Sequence, residues 1–188
     1  MSGRRGPRWL ALGLAALASA ALAATGPELA RPSALSRELD RAQALLALRL
    51  ASLPEDSGVL ILRDPASVTL RIPARLIFAY DSPALKQNPT AAAPLNAAVQ
   101  LLKKHRKLKA DIVVYTDSLG AIGSNQSLSD QRAQSVYEAL SAAGIALDRL
   151  QQHGAGAATM VAGNQTPQGR IANRRIEIEF KAELAAAP

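Results

Sequence analysis

Two side chains of opposite charge, Asp117 and Arg132, stand where the local pattern calls for apolar groups. A carboxylate accepts from an ammonium and a guanidinium fork donates to a carboxylate, so the two together suit a zwitterionic ligand. The same residues also suit a buried ion pair that closes a strand-helix crossover and does nothing further. Pattern alone favours the ion pair, because structural charge networks imitate binding sites.

The elements that position these charges are legible around them. Ile112-Val113-Val114-Tyr115 is a continuous β-prone run ended by Thr116-Asp117-Ser118 and Gly120. It predicts a strand buried on both faces, with Asp117 just past its carboxyl end. That end of a strand is where open α/β sheets take their ligands. On a helical projection with Leu128 at zero, Ala133, Val136, Ala139, Leu140 and Ala143 share one arc, and Arg132 at about 40° lies inside it. Asp130, Gln131, Gln134, Glu138 and Ser141 occupy the opposite, solvent-facing arc. Gly120-Ala121-Ile122-Gly123-Ser124 lacks the lysine of a phosphate loop and reads as the turn between Asp117 and the helix.

Composition narrows the classes of function. The chain opens with Arg4, Arg5 and Arg8, then runs uncharged and Ala/Leu-rich from Trp9 to Ala24, with Ala21-Leu22-Ala23 as a small-x-small tripeptide. Residues 1–23 therefore read as a secretory signal peptide, an uncleaved membrane anchor being the alternative. Without those three arginines the basic count falls from 22 to 19 against 15 acids, a net charge of about +4 instead of +7. The absence of Cys excludes disulfides and thiolate metal sites, so stability must come from an ordinary core, and no cofactor or metal is expected. Alternating ten-residue strands are too few for a membrane barrel. The only histidines are His105 and His153, no His-x-x-x-His or Gly-x-Ser-x-Gly occurs, and no acid pair is marked out by pattern. The expectation is a binding protein, with His153 a surface or packing residue.

Residues 24–57 are expected to hold an amphipathic helix and a linker, 58–182 the main domain and 183–188 a tail. Leu35, Leu39, Ala42, Leu46, Leu50 and Leu53 recur at helical spacing before Pro54. This leucine seam docks on the domain or receives an envelope protein partner, with docking the simpler outcome. Residues 59–63 and 68–72 flank the turn Asp64-Pro65-Ala66-Ser67 as a strand-turn-strand unit, and 78–82 lead out of it. A second amphipathic helix over 91–106 ends in Lys103-Lys104-His105-Arg106-Lys107. Cations are favoured at a helix carboxyl end and stacking aromatics are few, so this cluster reads as a solvated helix end and no nucleic acid is expected. Residues 150–153 are a weak strand, 154–169 a long loop, and 175–180 alternate strictly as a half-exposed final strand.

In order along the chain, Tyr115-Thr116-Asp117-Ser118-x-Gly120, Asn125-x-x-Leu128-Ser129-x-x-Arg132-Ala133, Gly154-x-Gly156, Asn164-x-Thr166-Pro167-x-Gly169-Arg170 and Asn173-Arg174-Arg175-Ile176-Glu177-Ile178 resemble the OmpA-like carboxyl-terminal domain, over roughly residues 68–180. The resemblance implies an α/β fold: a βαβαβ split α/β sandwich with a mixed sheet and an antiparallel final strand, here preceded by the amphipathic helix. It also implies non-covalent binding of peptidoglycan through the free diaminopimelate end of the stem peptide. Asp117 and Arg132 match the family's ligand residues, which turns the pair from structural to ligand-binding. Asn125 matches a site asparagine, with an N-cap as the alternative; its neighbouring helix amides would attract the ligand carboxylate. Thr116 and Asp81 match pocket positions, Asp81 doubling as a turn former. Asn173, Arg174 and Arg175 match a signature read as structural pairing or glycan contact. Val114, Ala157 and Met160 depart from the family's pattern and put the 156–163 loop in doubt. The implied location is the periplasm, at the wall or outer membrane. The other functions in view are a membrane-anchored wall tether of a larger machine and, behind it, a peptidoglycan-modifying enzyme.

Overall fold

The computed structural model describes residues 33–182; the expected signal segment 1–23 and tail 183–188 lie outside them. Ser33 accepts the Ser36 N–H at 3.0 Å and starts α1 (Ala34–Leu50). The leucine seam of α1 is spent inside the domain: Leu39, Ala42, Leu45, Leu46 and Leu50 are all buried in the core. The apolar face of this helix is therefore closed to the envelope protein partner considered from sequence. Strands β1 (Leu60–Asp64) and β2 (Ser67–Pro73) form the expected hairpin. Two helices follow, the short α2 (Ala74–Ile77) and α3 (Pro89–Lys104), the latter capped by Asn88. β3 (Leu108–Tyr115), α4 (Ile122–Ala142), β4 (Leu150–Gly156), α5 (Pro167–Asn173) and β5 (Arg175–Ala182) complete the order.

The sheet runs β1-β2-β5-β3-β4. Only β3 and β4 are parallel; the other pairings, including both made by β5, are antiparallel. Alternate residues of β2, β3 and β5 face the helices: Leu70 and Ile72, Ile112 and Val114, Ile176 and Ile178 are fully buried there. The molecule is thus two layers, and among the described residues no helix is long and apolar enough to cross a membrane.

This layering corrects the expectation for β3. Its burial alternates, because helices cover only one face of the sheet. The other face carries paired charges: Arg71 of β2 reaches across to Glu177 of β5 at 2.8 Å, and along β5 Arg175 meets Glu177 at 2.9 Å and Lys181 meets Glu179 at 3.2 Å. Valine at 113 looks continuous with the core in sequence, yet it stands on this polar side, opposite Glu177.

Three further boundaries differ from expectation. Gly120 takes φ 86° and closes the turn early, so α4 begins at Ile122 and the stretch 122–124 is helix. β4 continues through Gly154 to Gly156, ending in a bulge against Val114 and Tyr115. Within the expected loop, Thr166 caps α5 by accepting the Gly169 N–H at 3.0 Å, with Pro167 in the first turn. His105 is also misplaced in the sequence reading. It is buried, with Nδ1 3.6 Å from Glu38 of α1, while its neighbours Lys103, Lys104, Arg106 and Lys107 are exposed.

The parallel unit β3-α4-β4 aims the site, and Gly154 is its closest contact. A Cβ there would lie 2.2 Å from the Asp130 amide nitrogen and 2.4 Å from the Ser129 carbonyl carbon, both backbone atoms of α4. Asp130, assigned to the solvent arc, accepts the Gly154 N–H at 3.0 Å, and Gln126 donates to the Gly154 carbonyl at 2.7 Å. Gly154→Ala should push α4 off the sheet and cost about 3 kcal/mol, read as a lower urea midpoint at unchanged m.

Candidate functional site

β3 ends at Tyr115, and the bulge that follows lets Thr116 donate its N–H to the Gly156 carbonyl at 2.7 Å. Asp117 comes next and is 6% exposed. One of its carboxylate oxygens accepts the Leu119 N–H at 2.8 Å; the other is held by Nη1 of Arg174. Across the gap, the amphipathic register of α4 delivers Arg132 to the interior, 5% exposed. Its Nε donates to the Ser82 carbonyl at 2.9 Å and its guanidinium carbon lies 5.0 Å from the Phe78 ring centre. Burial pulls the Arg132 pKa below its ordinary range, Asp81 opposes that pull and Arg174 adds to it. A guanidinium remains charged at neutral pH even so.

Asp117 and Arg132 are therefore not bonded to each other. The simple crossover ion pair, which pattern alone favoured, is replaced by two charges that face one cavity and are stabilised by different neighbours: Arg174 for Asp117, Ser82 and Asp81 for Arg132. The cavity measures about 340 Å³. Its walls include all five residues singled out from sequence as the binding set, Asp81, Thr116, Asp117, Asn125 and Arg132.

Each of the five has a definable local role. Asp81 adopts φ 45°, so it shapes the turn after α2 and lines the cavity as well. The Thr116 hydroxyl is buried and has no hydrogen-bond partner among the described residues. Asn125 is not an N-cap: Ala121 holds that position, and the Asn125 amide nitrogen bonds the Ala121 carbonyl at 3.0 Å. That amide is unavailable to a ligand. Its side chain instead donates to the Leu119 carbonyl at 2.8 Å, pinning the loop that carries Asp117.

The signature before β5 divides. Asn173 is buried and braces the 157–166 loop, accepting the Val161 and Ala162 N–H groups at 2.9 and 3.1 Å. Arg175 lies on the open sheet face over the Tyr115 ring at 3.7 Å. Neither lines the cavity. Arg174 does, and the sequence reading did not separate it from its neighbours. Strand parity could have found it: residues 176, 178 and 180 face the helix layer, and 174 continues that series one step beyond the strand. Arg75 and Lys86 also line the cavity and carried no sequence signal.

Comparisons with known proteins agree with this architecture. Over 122 residues the chain is 36% identical to the probable lipoprotein YiaD of Escherichia coli K12, covering 65% of this chain and 55% of that protein. It is 42% identical over 84 residues to the peptidoglycan-binding protein ArfA of Mycobacterium tuberculosis, covering 45% of this chain and 26% of ArfA. The match thus spans about half of the first relative and a quarter of the second. The solved cell wall anchor of the T6SS from Pseudomonas aeruginosa superposes with a TM-score of 0.64 at 25% identity, covering 73% of this chain and 97% of the anchor. The OmpA family matches residues 77–174, just over half of the 188. That interval opens beside Phe78 and closes on Arg174, so it takes in every charged residue of the cavity lining except Arg75, and the chain belongs to the OmpA family.

Proposed function

We propose that this protein binds cell-wall peptidoglycan non-covalently, recognising the diaminopimelate zwitterion of the stem peptide with Asp117 and Arg132, in the periplasm. The observation that carries the reading is a buried carboxylate and a buried guanidinium that share one cavity without bonding each other. Two relatives support the same polymer, a peptidoglycan-binding protein and a cell wall anchor.

The geometry supports a division of roles. A zwitterionic carbon bears an ammonium and a carboxylate, and neither is dehydrated cheaply without a counterion that also hydrogen-bonds. Asp117 accepts from the ammonium. The fold uses Arg132 through Nε, which leaves its two terminal nitrogens for a bidentate bond to the carboxylate. Thr116 offers an uncommitted hydroxyl beside them, and the charge of Asp81 opposes that of Arg132. Binding is the reading, since the cavity supplies two opposite counterions.

Asp117→Asn tests it. Losing the ammonium's counterion should weaken binding to purified sacculi and to free diaminopimelate by about ten- to a hundredfold, one charge-assisted hydrogen bond of about 1.5 to 3 kcal/mol. Thermal unfolding should shift little, because the Arg174 side chain is 41% exposed and can turn to solvent once released. Undiminished binding by this variant would exclude Asp117 from the site.

A further inference from the structure

Four basic side chains, Arg75, Lys86, Arg132 and Arg174, line the cavity against two carboxylates, Asp81 and Asp117, a formal charge of +2. Among the described residues neither Arg75 nor Lys86 forms an ion pair: Arg75 donates to the Asp56 and Ser57 carbonyls at 3.2 and 3.5 Å and Lys86 to the Arg75 carbonyl at 2.6 Å. A ligand end that carries one ammonium and one carboxylate leaves this imbalance untouched. It also leaves a conflict at Asp117, whose second oxygen is already held by Arg174.

Resting on the peptidoglycan reading, we propose that Arg174 is an exchangeable counterion and the reader of a second ligand carboxylate. Bonded to Asp117, it stands where the ligand's ammonium would bind. When the zwitterion enters, its ammonium takes that place, and Arg174 swings to a carboxylate elsewhere on the same ligand. Every charge keeps a partner through the exchange, so the buried Asp117 is never left bare.

The two partners differ in the way this requires. Asp117 is nearly enclosed and its other oxygen is tied to the Leu119 N–H, so it stays. Arg174 is 41% exposed at the side chain and bonds the protein there only through Asp117, so it can move. It also leaves the chain at the end of α5 and lines the same cavity as Asp117 and Arg132. The ligand class that follows is a peptide carrying a terminal amino-acid zwitterion and a second free carboxylate; in a stem peptide that group is the glutamate carboxylate next to diaminopimelate.

The experiment uses calorimetry on the protein with a soluble stem tripeptide ending in diaminopimelate, its main-chain terminal carboxyl amidated throughout, in three forms: the other carboxylates free, the glutamate carboxylate amidated, and the zwitterion's own carboxylate amidated. Wild type should bind the free form about tenfold more tightly than the glutamate amide, the low end of one charge-assisted hydrogen bond. Arg174→Gln should bind those two forms within about twofold of each other, and Arg174→Lys, which keeps the charge, should restore part of the gap. The zwitterion amide should bind weakly to all three proteins, because Arg132 reads that group. A wild type that binds the free tripeptide yet ignores glutamate amidation overturns the exchange and spares the peptidoglycan reading. So does a gap that survives in Arg174→Gln. A wild type that binds none of the three forms overturns both.

Discussion

Arg132→Ala is expected to abolish recovery of the protein on purified sacculi and to weaken diaminopimelate binding by at least about a hundredfold. The guanidinium can make two parallel charge-assisted hydrogen bonds to one carboxylate, and alanine makes neither. The cost to the fold is smaller. Arg132 gives up one bond to the Ser82 carbonyl and its packing on Phe78, a loss of about 1 to 2 kcal/mol. Arg132→Lys keeps the charge without the fork and should recover only part of the affinity. A double-mutant cycle with Asp117→Asn adds a sharper check. Because the two residues do not bond each other, their effects on unfolding should add to within about 0.5 kcal/mol, while their effects on binding should not add. Strong coupling in stability with binding intact would restore the structural ion pair and remove the site.

The largest loss of stability is expected on the far side of the sheet, at Arg175→Ala. Arg175 is 2% exposed and is among the largest fully buried side chains. It bonds Glu177 at 2.9 Å, the Thr159 and Asn173 carbonyls at 3.0 and 3.2 Å, and stacks on Tyr115 at 3.7 Å. Truncation leaves two carbonyls and a cavity, although Glu177 retains Arg71 at 2.8 Å. The cost should fall near the lower end of a broken buried pair, about 3 kcal/mol, or some 6 to 12 °C in Tm. Fully folded Arg175→Ala protein should still bind sacculi, since the side chain stands away from the cavity. Calorimetric unfolding and co-sedimentation separate the two effects; loss of binding at full folding would place Arg175 in the site.

Local periodicity made most of this arrangement legible. The position of Arg132 inside an otherwise apolar arc followed from helical spacing alone, and its burial is what the amphipathic packing of α4 imposes. Its partners did not follow. Ser82 and Phe78 reach it from a turn fifty residues earlier, and no local pattern records such a contact. Asp117 was placed correctly at the strand end, yet its cation came from Arg174, across the sheet in β5's approach. The two-sided burial expected for β3 failed because Val113 is apolar for reasons of strand propensity, on a face whose neighbours are charged. Short elements were missed where capping, not hydrophobic period, defines them: α5 is seven residues long and announced chiefly by Thr166-Pro167.

The last strand in the chain occupies the middle of the sheet. In the hydrogen-bonded ladder β5 joins β1 and β2 to β3 and β4, and the cavity takes Phe78 and Asp81 from the first half and Asp117 and Arg132 from the second. Neither half can display the site by itself. During folding, residues around 70 and around 112 must wait for those around 178 before the ladder closes, a long-range event that is intrinsically slow.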